Sequence, residues 1–435
     1  MMPRLLKMTT LLLGIATAAT LLCAEARVLA ADRHKKADDA AVRPGITGSQ
    51  PPAFSIPVEP LGFYPPGAYY RGQRESLVSL DFLDENRLLF TFRAPGLIRR
   101  TQFGADVRQI RALVLSLPDG SVEAEARWML HDTERYLWMQ RDGHFILRDG
   151  DTLKEGNASL ALTPLLHFPG PVQWLQMDPT QQYLVTDSLE PSGAKPKSGE
   201  VDSPVTAQAS VTLGNDDSQG ESNTVLRIMR RESGKVMLVS RVRGVVQLPI
   251  SPDGYLEALP SSGRAWTLNL NYFTGDGKVL SKLESACQPP LTFLSRTVAL
   301  ANTCSPQGGR RLVAVSTDGR RLWDAPSVPT QVWPLLITSP DGSRFARETL
   351  IVAHPVDVFA PLDFDDVNGQ LVEVYDAAEG RRELMVPANP VLDGGGNVAF
   401  SPSGQRVAVL NAGAIQVYDL SKPAPASPEN GHQAP

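Results

Sequence analysis

The residues of this sequence whose types and spacing could do chemistry are few, and the clearest group is acidic. Asp363, Asp365, Asp366 and Asn368 lie close together and are followed by Gly369. Calcium prefers several oxygen ligands from one loop, so these four residues are candidates for a calcium site. Their spacing is offset by one residue from an EF-hand loop, and no glutamate follows at the closing position. The alternative is a solvated hairpin turn at Asn368-Gly369, and we assign no metal and no other cofactor.

The histidines indicate no catalytic or metal centre. None forms an HxH, HxxxH or HExxH pattern, although a zinc site assembled from distant segments stays open. The nucleophile motif GxSxG and the phosphate-binding glycine motifs are absent. The triplet 394–396 is Gly-Gly-Gly before a predicted strand rather than a helix, so we interpret it as a flexible link. The six histidines are His34, His131, His144, His167, His354 and His432.

An export signal is predicted at the N-terminus. Arg4 and Lys7 form a short basic region before the apolar run 9–23. That run has the length of a signal peptide's hydrophobic segment, and it is shorter than the roughly 20 residues of a membrane span. Two small alanines follow it, so we expect cleavage before Arg27 and interpret residues 1–26 as a signal peptide.

Three alternatives to this cleavage stay open. Cleavage could fall before Ala31, the segment could remain as an uncleaved anchor, or Cys23 could carry a lipid, although no small residue precedes it. No later run has 18 consecutive apolar residues, so we expect no stable membrane insertion after cleavage. The expected location is periplasmic or secreted.

Two cysteines remain after the predicted cleavage, Cys287 and Cys304. Cysteine pairs in exported chains most often form disulfides, so we predict a bridge between them. In the chain-entropy model a loop of this size is worth about 3 kcal/mol. The run between them, LTFLSRTVALA, is typical of strand, turn and strand, so the bridge could link neighbouring strands. Two buried free thiols are the alternative.

The elements that would position any site come from a repeat. An apolar run, a short polar turn and a second apolar run recur, with turns that begin at positions 83, 131, 178, 251, 294, 339 and 401. Proline presets φ in several of these turns, and Asp and Gly accept the reversal. Four of the six intervals between the turns are 43–48 residues long, which is the length of a four-stranded propeller blade.

The predicted fold is therefore all-β, a single seven-bladed β-propeller with four-stranded blades. Segment 54–58 is a candidate outer strand that closes the last blade, because Pro57 is tolerated only on an edge strand. Further hairpin turns are predicted at dipeptides rich in Gly, Asp and Asn. These are Asp119-Gly120, Asp142-Gly143, Ser233-Gly234, Asp276-Gly277, Asp318-Gly319, Asn368-Gly369 and Glu379-Gly380.

The domain organisation follows from composition. The propeller spans 53–421, after a linker at 27–52 and before a Pro- and Ala-rich tail at 422–435. A polar segment, 190–222, lengthens the third repeat. The linker, the tail and this insertion carry too little apolar surface to offset the entropy of ordering, so we expect all three to be disordered.

The repeat resembles the WD40-like and TolB-like β-propeller repeats of exported bacterial proteins. The segment NVAFSPSGQRVAVLNAGAIQVYDL, 397–420, looks like one such blade, with Tyr418-Asp419 where a WD40 blade has Trp-Asp. QVWPLLITSPDGSRFA is a partial second match. No blade shows the Gly-His start together with a Trp-Asp end, so the sequence departs from true WD40 proteins.

Composition narrows the class of partner. The chain has 435 residues, a net charge of −5 and 20% charged residues, so a basic nucleic-acid binder is excluded. The tryptophans are interpreted as blade-packing residues: Trp128, Trp138, Trp174, Trp266, Trp323 and Trp333. The arginine pairs are interpreted as solvated edge positions: Arg99-Arg100, Arg230-Arg231, Arg310-Arg311, Arg320-Arg321 and Arg381-Arg382.

The leading functional hypothesis is a non-catalytic exported propeller, expected to be a monomer, that binds an envelope or extracellular protein, peptide or glycan. One alternative is a hydrolase or lyase whose site is built from loops at one mouth of the central channel. Carboxylates and histidines converging on the channel would favour it. The other alternative is a metal- or calcium-dependent structural protein of the envelope.

Overall fold

A computed structural model gives the structure over the following parts of the chain, to which every structural statement below refers. They are residues 50–66, 77–94, 99–100, 106–131, 135–190, 224–242, 244–306, 309–356, 362–392 and 395–420. The predicted signal peptide 1–26, nearly all of the linker 27–52, the insertion after Glu190 and the tail 422–435 lie outside them. In the described residues no helix is both long and apolar enough to cross a membrane.

The described residues form seven antiparallel sheets arranged as the blades of one ring. The first strand, β1 (Phe54–Pro57), belongs to the last blade. Blade 1 contains β2 (Val78–Asp84), β3 (Arg87–Arg93), the short β4 (Arg99–Arg100), β5 (Asp106–Ser116) and β6 (Val122–Leu130). Blade 2 contains β7 (Leu137–Met139), β8 (Phe145–Asp149), β9 (Thr152–Gly156) and β10 (Thr163–His167). Blade 3 contains β11 (Val172–Met177), β12 (Tyr183–Leu189), β13 (Thr224–Arg230) and β14 (Val236–Val242).

Blades 4 to 7 have four strands each, as blades 2 and 3 do. Blade 4 contains β15 (Ile250–Ser251), β16 (Gly254–Pro260), β17 (Ala265–Tyr272) and β18 (Gly277–Glu284). Blade 5 contains β19 (Leu291–Phe293), β20 (Val298–Cys304), β21 (Arg310–Ser316) and β22 (Arg321–Pro326). Blade 6 contains β23 (Gln331–Thr338), β24 (Arg344–Val352), β25 (Val367–Asp376) and β26 (Arg382–Ala388). Blade 7 contains β27 (Val398–Phe400), β28 (Arg406–Asn411), β29 (Ala414–Asp419) and β1. The predicted seven-bladed all-β fold is confirmed.

The core lies between the blades, because each blade packs both faces against its neighbours. Strand β3 shows the consequence: its five central residues are all buried. Leu88 and Phe90 pack in a cluster shared with blade 7, whereas Leu89, on the opposite face, packs with blade 2. A strand buried on both faces has a continuous apolar run instead of an alternating pattern. The second strand of the blade therefore gives a stronger sequence signal than the outer strands.

The ring is closed by the pairing of β1 with β29, as predicted. Phe54 lies opposite Val417, and the backbone N–H of Ala53 donates to the carbonyl of Val417 at 2.7 Å. The N–H of Val58 donates to the carbonyl of Gly413. Pro57 is exposed on the outer edge of the blade, where its missing N–H costs no ladder bond.

Six of the seven predicted inner turns join the first and second strands of a blade among the described residues. The turn of blade 6 shows the mechanism. The hydroxyl of Ser339 donates to Asp341 at 2.6 Å and accepts from the N–H of Arg344 at 2.9 Å, while Gly342 has a φ of +73°. Side chains that satisfy the backbone of a tight reversal, with glycine at positive φ, stabilise this geometry.

The turn predicted at position 131 is wrong. The segment before it is the end of β6, the outer strand of blade 1, and the segment after it leads into β7 of blade 2. The inner hairpin of blade 2 lies instead at Asp142-Gly143, one of the further hairpin turns predicted from the sequence, and both residues have positive φ there. The blade count stays seven because each blade still has one inner hairpin. Two apolar runs on either side of a polar stretch occur at linkers between blades as well as at hairpins within a blade, so this pattern alone does not distinguish the two.

The hairpin turn predicted at Asn368-Gly369 is also wrong. Both residues lie within β25, and Gly369 is paired with Ile351 of β24. A short 3-10 turn, Phe364–Asp366, comes directly before β25. Extended pairing with the nine-residue strand β24 overrides the local turn preference of these two residues.

Two of the six tryptophans, Trp128 and Trp323, join neighbouring blades. The indole N–H of Trp128 in blade 1 donates to the carbonyl of Leu160 in blade 2 at 3.2 Å. The indole N–H of Trp323 in blade 5 donates to the carbonyl of Ala377 in blade 6 at 3.0 Å. An indole side chain buries a large apolar area, and its N–H needs a hydrogen-bond partner when it is buried. These side chains therefore hold the ring together.

Candidate binding face

The ring has two unlike faces. We call one the turn face, since it carries the connections between first and second strands and between third and fourth strands. They span residues 85–86, 117–121, 140–144, 157–162, 178–182, 231–235, 252–253, 273–276, 294–297, 317–320, 339–343, 377–381 and 401–405. We call the other the loop face, since it carries the connections between second and third strands and the linkers between blades.

The long connections are concentrated on the loop face. The strand bounds leave 34 residues at 190–223, 20 at 58–77 and 14 at 353–366, and the strand ends that these segments join lie on this face. On the turn face the longest connection has six residues, 157–162. Binding residues in rigid scaffolds are concentrated on the longer surface loops, so this asymmetry favours the loop face as the functional one.

Arg141 bridges the ring across the turn face. It stands in the inner hairpin of blade 2, and its Nη2 donates to the carbonyls of Pro179 in blade 3 and Pro340 in blade 6, each at 3.2 Å. Blades 2 and 6 lie across the ring from each other, and the two carbonyl oxygens are at most twice that distance apart. The channel is therefore narrow at this face, and one side chain spans its mouth.

The polar groups of the turn face are further used by contacts between neighbouring blades. Polar groups in the turns of one blade form hydrogen bonds with the turns of the next blade, and polar groups of native proteins are usually satisfied in this way. The pairs are Arg231 with Gln140, Arg296 with Asp253, Lys278 with Thr317, Arg344 with Gly404, and Ser403 with Glu85. These contacts stabilise the fold and leave this face few groups for a ligand.

The loop face exposes groups of the kind that recognise ligands. Tyr64, in the linker from blade 7 to blade 1, is 64% exposed, and Val328, in the linker from blade 5 to blade 6, is 51% exposed. In blade 2 the ring of His131 lies 2.9 Å from Asp149, whose second oxygen accepts from the ammonium of Lys154. Exposed tyrosine, apolar and charged side chains on one face suit the recognition of another molecule.

The candidate calcium residues also belong to the loop face. Asp363 accepts a hydrogen bond from the backbone N–H of Asp365 at 3.0 Å, and Asp366 lies 3.8 Å from the ring of His354. Asn368 is exposed on β25. Across the part of the chain that the structure describes, no three His, Cys, Asp or Glu side chains form a group that could hold a metal.

Cys287 and Cys304 form the predicted disulfide, with Cα atoms 5.8 Å apart. Cys304 ends β20, but Cys287 lies in the linker from blade 4 to blade 5, so the bridge joins a linker to a strand. The carbonyl of Cys304 accepts from the N–H of Ala286, and its N–H donates to the hydroxyl of Ser285 at 3.0 Å. The bridge therefore holds this linker of the loop face against blade 5.

A carboxyl lies on the inner strand of blade 1, on the face that packs toward blade 2. Asp81 is partly exposed and accepts from the hydroxyl of Ser79 at 2.6 Å. Burial raises the pKa of Asp81 to about 7, against the lowering effects of the Ser79 bond and the charge of Arg135. The carboxyl can gain or lose a proton near neutral pH. The described histidines are paired with other carboxylates, so the convergence of carboxylates and histidines that an enzyme site would need is not found among the described residues.

Two further carboxyls secure linkers of the loop face. Asp187 is fully buried and accepts from the N–H of Val246, in the linker after blade 3, at 2.7 Å; burial raises its pKa to about 7. Glu348 accepts from the amide of Gln370, and that amide also donates to the carbonyl of Leu392 in the linker after blade 6. Burial raises the pKa of Glu348 to about 8. These groups position the linkers and do not form a site.

Sequence reasoning did not select these carboxyls. Asp81 could have been found, because a carboxylate at the centre of the apolar run VSLDF is unusual. Glu348 and Asp187 lie in strands whose neighbours became known only from the blade order. Arg310, interpreted as a solvated edge residue, is partly exposed at the start of β21, and partial burial lowers the pKa of its guanidinium.

No protein-family model and no curated protein matches this sequence. Solved structures of low identity do match it. The C-terminal WD40 domain of Sif2 is 12% identical, with a TM-score of 0.41, and the match covers 80% of this chain and 97% of that one. The hydrazine synthase of Kuenenia stuttgartiensis is 8% identical, with a TM-score of 0.46, and the match covers 82% of this chain and 99% of that one. The acylaminoacyl peptidase of Pyrococcus horikoshii is 9% identical, with a TM-score of 0.46, and the match covers 80% of this chain and 53% of that one.

The assignment of the fold rests on the sheets themselves: seven antiparallel blades, of which six have four strands and blade 1 adds the two-residue β4, with the first strand of the chain completing the last blade. The blade at 397–420, whose sequence carries the resemblance, forms β27, β28 and β29 as expected. The chain is a seven-bladed β-propeller. A propeller of this kind is suited to binding, but the fold is shared by many unrelated functions.

Proposed function

We propose that this WD40-like propeller is an exported, non-catalytic binding module, monomeric on its own, that holds a protein, peptide or glycan of the cell envelope on its loop face. The observation that supports it is the asymmetry of the faces. On the turn face Arg141 spans the channel mouth and the connections are short, whereas the long connections are all on the loop face. The basic and apolar sequence of segment 1–26 supports export, and a partner in the periplasm or outside the cell is proposed on that ground.

Site-specific photo-crosslinking in living cells tests this proposal. A photoreactive amino acid replaces Tyr64 or Val328 on the loop face, and Glu232 or Thr274 on the turn face as matched exposed controls. We expect discrete adducts from the loop-face positions and none from the controls. Adducts from the turn face alone, or no adduct from any position, would contradict the proposal. Protease protection in intact cells and in spheroplasts reports the location of the protein in the same experiment.

The second candidate function is a hydrolase or lyase, and Asp81 is the observation that favours it. A carboxyl on an inner strand whose pKa burial raises to about 7 could transfer protons in a reaction. A panel of ester, peptide and glycoside substrates, assayed with the wild type and with Asp81→Asn, tests this function. Turnover that the substitution abolishes while the fold is retained would replace the binding proposal. No turnover of any substrate leaves Asp81 as a structural group.

A further inference from the structure

A turn of blade 2 carries a tripeptide that can accept a covalent modification. Asn157, Ala158 and Ser159 form the pattern Asn-x-Ser, and neither Asn-x-Ser nor Asn-x-Thr occurs anywhere else in the sequence. In exported proteins this pattern is the acceptor of N-linked glycans, provided that the middle residue is not proline. Because the pattern is short and only an accessible asparagine can be modified, its surroundings decide whether it is a site.

The structure places this asparagine on an exposed turn of the turn face. Asn157 follows β9, and the backbone N–H of Leu160 donates to its carbonyl at 2.8 Å, which closes a β-turn over 157–160. Asn157 and Ser159 are exposed, whereas Leu160 is 3% exposed and packs with blade 1. The carbonyl of Leu160 also accepts from the indole N–H of Trp128. Blade 1 therefore fixes one side of the turn, and the other side presents the tripeptide to solvent.

Hydrogen bonds within the turn orient the amide of Asn157. Its Oδ1 accepts from the backbone N–H of Ser159 at 2.9 Å. The nitrogen of an amide group lies on the other side of Cγ from the oxygen, so Nδ2 is turned away from this bond. Among the described residues Nδ2 has no hydrogen bond that modification would have to break. The hydroxyl of Ser159 accepts from the N–H of Ala161 at 3.4 Å, a long bond that leaves it available to an enzyme.

A carboxylate precedes the tripeptide. Glu155 lies two positions before Asn157, and its side chain is 34% exposed. Bacterial oligosaccharyltransferases bind an acidic side chain at this position as well as the asparagine and the hydroxyl, and a carboxylate is readily recognised by a charge-assisted hydrogen bond. The segment 155–159, Glu-Gly-Asn-Ala-Ser, therefore matches the longer acceptor motif of bacterial enzymes.

We propose that Asn157 is the acceptor of an N-linked oligosaccharide. Its Nδ2 attacks the anomeric carbon of an oligosaccharide that is bound to a lipid diphosphate. A nitrogen–carbon bond forms as the carbon–oxygen bond to the diphosphate breaks, and the lipid diphosphate leaves with the bonding electron pair. The amide gives up one proton to solvent, so the step needs no oxidant or reductant. An amide nitrogen is a weak nucleophile because its lone pair is delocalised, so the step requires the enzyme.

This inference goes beyond the proposed function and rests on it only for export. A glycan on Asn157 stands on the turn face, where polar groups are already used by contacts between blades. It is bulky and hydrophilic, and it leaves the loop face open to a partner.

Expression of the full-length protein in bacterial cells that carry an oligosaccharyltransferase and its lipid-linked oligosaccharide tests the site. Mass spectrometry of the intact protein and of its peptides should find one glycan, on Asn157. Unglycosylated protein is also incubated in vitro with the same enzyme and donor, which makes the result independent of export, and a known acceptor protein is the positive control. A glycan on Asn157 in either setting supports the inference, and none in both settings overturns it.

Variants of the tripeptide separate modification from folding. Asn157→Gln and Ser159→Ala should lose the glycan, and Ser159→Thr should keep it because threonine also carries the hydroxyl. Ala158→Pro is the matched control, since proline is favoured at the second position of this β-turn. It should accept no glycan, yet unfold at the temperature of the unglycosylated wild type or slightly above it. A glycan on Asn157→Gln or on Ala158→Pro overturns the inference, because the modification then does not depend on this tripeptide.

The carboxylate is tested by Glu155→Gln, which should lose most of the glycan with the bacterial enzyme. Glu232→Gln, on an exposed turn of blade 3, is its control and should be glycosylated as the wild type is. Full glycosylation of Glu155→Gln would contradict recognition of the carboxylate.

The two settings also separate this inference from the proposed function. A glycan on Asn157 in vitro together with none in cells means that the site accepts a glycan but the chain is not exported, which contradicts the proposed function. Loop-face adducts at Tyr64 or Val328 together with no glycan in either setting overturn this inference and leave the proposed function standing.

Discussion

Ile56, in the first strand of the propeller, lies directly opposite Ile415, in its last strand. Ile56 is 3% exposed and packs in the cluster shared by blades 7 and 1. The two ends of the ring are thus joined by a hydrogen-bonded strand pair and an apolar cluster. Stability of the closed ring should depend on this short strand more than its four residues suggest.

Ile56→Ala should lower the free energy of unfolding by about 2–5 kcal/mol, the usual cost of truncating a buried isoleucine. Ser55 is the matched control, because it is exposed on the same strand. Ser55→Ala should change stability by less than about 0.5 kcal/mol. Urea denaturation of both variants measures the difference. Equal stability of the two variants would show that closure by β1 contributes little.

The disulfide between Cys287 and Cys304 should stabilise the ring through its linker. Seventeen positions separate the two cysteines, and closing such a loop is worth about 3 kcal/mol in the chain-entropy model. The double variant Cys287→Ser, Cys304→Ser should lose stability of this order, and a reducing agent should lower the wild type to a similar value. Titration of the denatured, unreduced protein should find no free thiol from this pair. Two free thiols would contradict the bridge.

Stability should fall as pH rises from about 5 to about 8. Burial raises the pKa of Glu348 from 4.5 to about 8, and of Asp81 and Asp187 from 3.8 to about 7. Between the unfolded and folded pKa values the folded state binds more protons than the unfolded state. The contribution of these groups to the free energy of unfolding is therefore fully present at pH values below their unfolded-state pKa, and it is lost as pH rises through their folded-state pKa.

Urea denaturation at pH 5, 7 and 9 measures this dependence, with Glu348→Gln as the informative variant. Glutamine keeps the shape and cannot ionise, so the variant should lose less stability between pH 5 and pH 9 than the wild type does. Its partners are the uncharged Gln370 and Asn397, which can bind an amide as well. Glu379→Gln, on an exposed turn, is the control and should leave the pH profile unchanged. A profile equally steep in Glu348→Gln would assign the dependence to other groups.

Most of the fold could be predicted from the sequence because its turns are local. Ser339, Asp341 and Gly342 form a turn from side-chain bonds and a positive φ within five residues, so the pattern is readable without knowledge of the neighbours. The spacing of such turns then predicts the number of blades. The closing strand could also be predicted, since Pro57 is suited to an edge.

The candidate sites could not be predicted in this way, because they depend on which strands lie opposite. Arg310 and Arg311 have the same chemistry and adjacent positions, and only the register of β21 places one toward blade 6 and the other toward solvent. The segment that contains Asp363 likewise looked like a ligand loop until its neighbours were known. At Asn368-Gly369 a turn signal was overridden by pairing between strands that are separated by a long connection. Local composition carries no information on these relationships.

Gly396→Ala should be strongly destabilising, because the glycine of this linker permits close backbone contact between blades 7 and 1. A Cβ at this position would lie 2.0 Å from the carbonyl oxygen of Val78, and its φ is +103°. Gly396, in the segment predicted as a flexible link, is thus required for the close approach of this linker to Val78. Gly413 separates the two effects, since its φ is also positive, at +75°, but a Cβ there meets nothing within 4 Å.

Gly413→Ala should cost only the backbone strain of a non-glycine residue at positive φ, about 1–2 kcal/mol. Gly396→Ala should cost this and the displacement of β2, the inner strand that carries Asp81. The comparison uses urea denaturation of both variants at one pH, with retention of strand structure checked by circular dichroism. Equal losses in the two variants would mean that the linker moves away from Val78 easily, and the inner edge of blade 1 would then be less rigid than its contacts indicate.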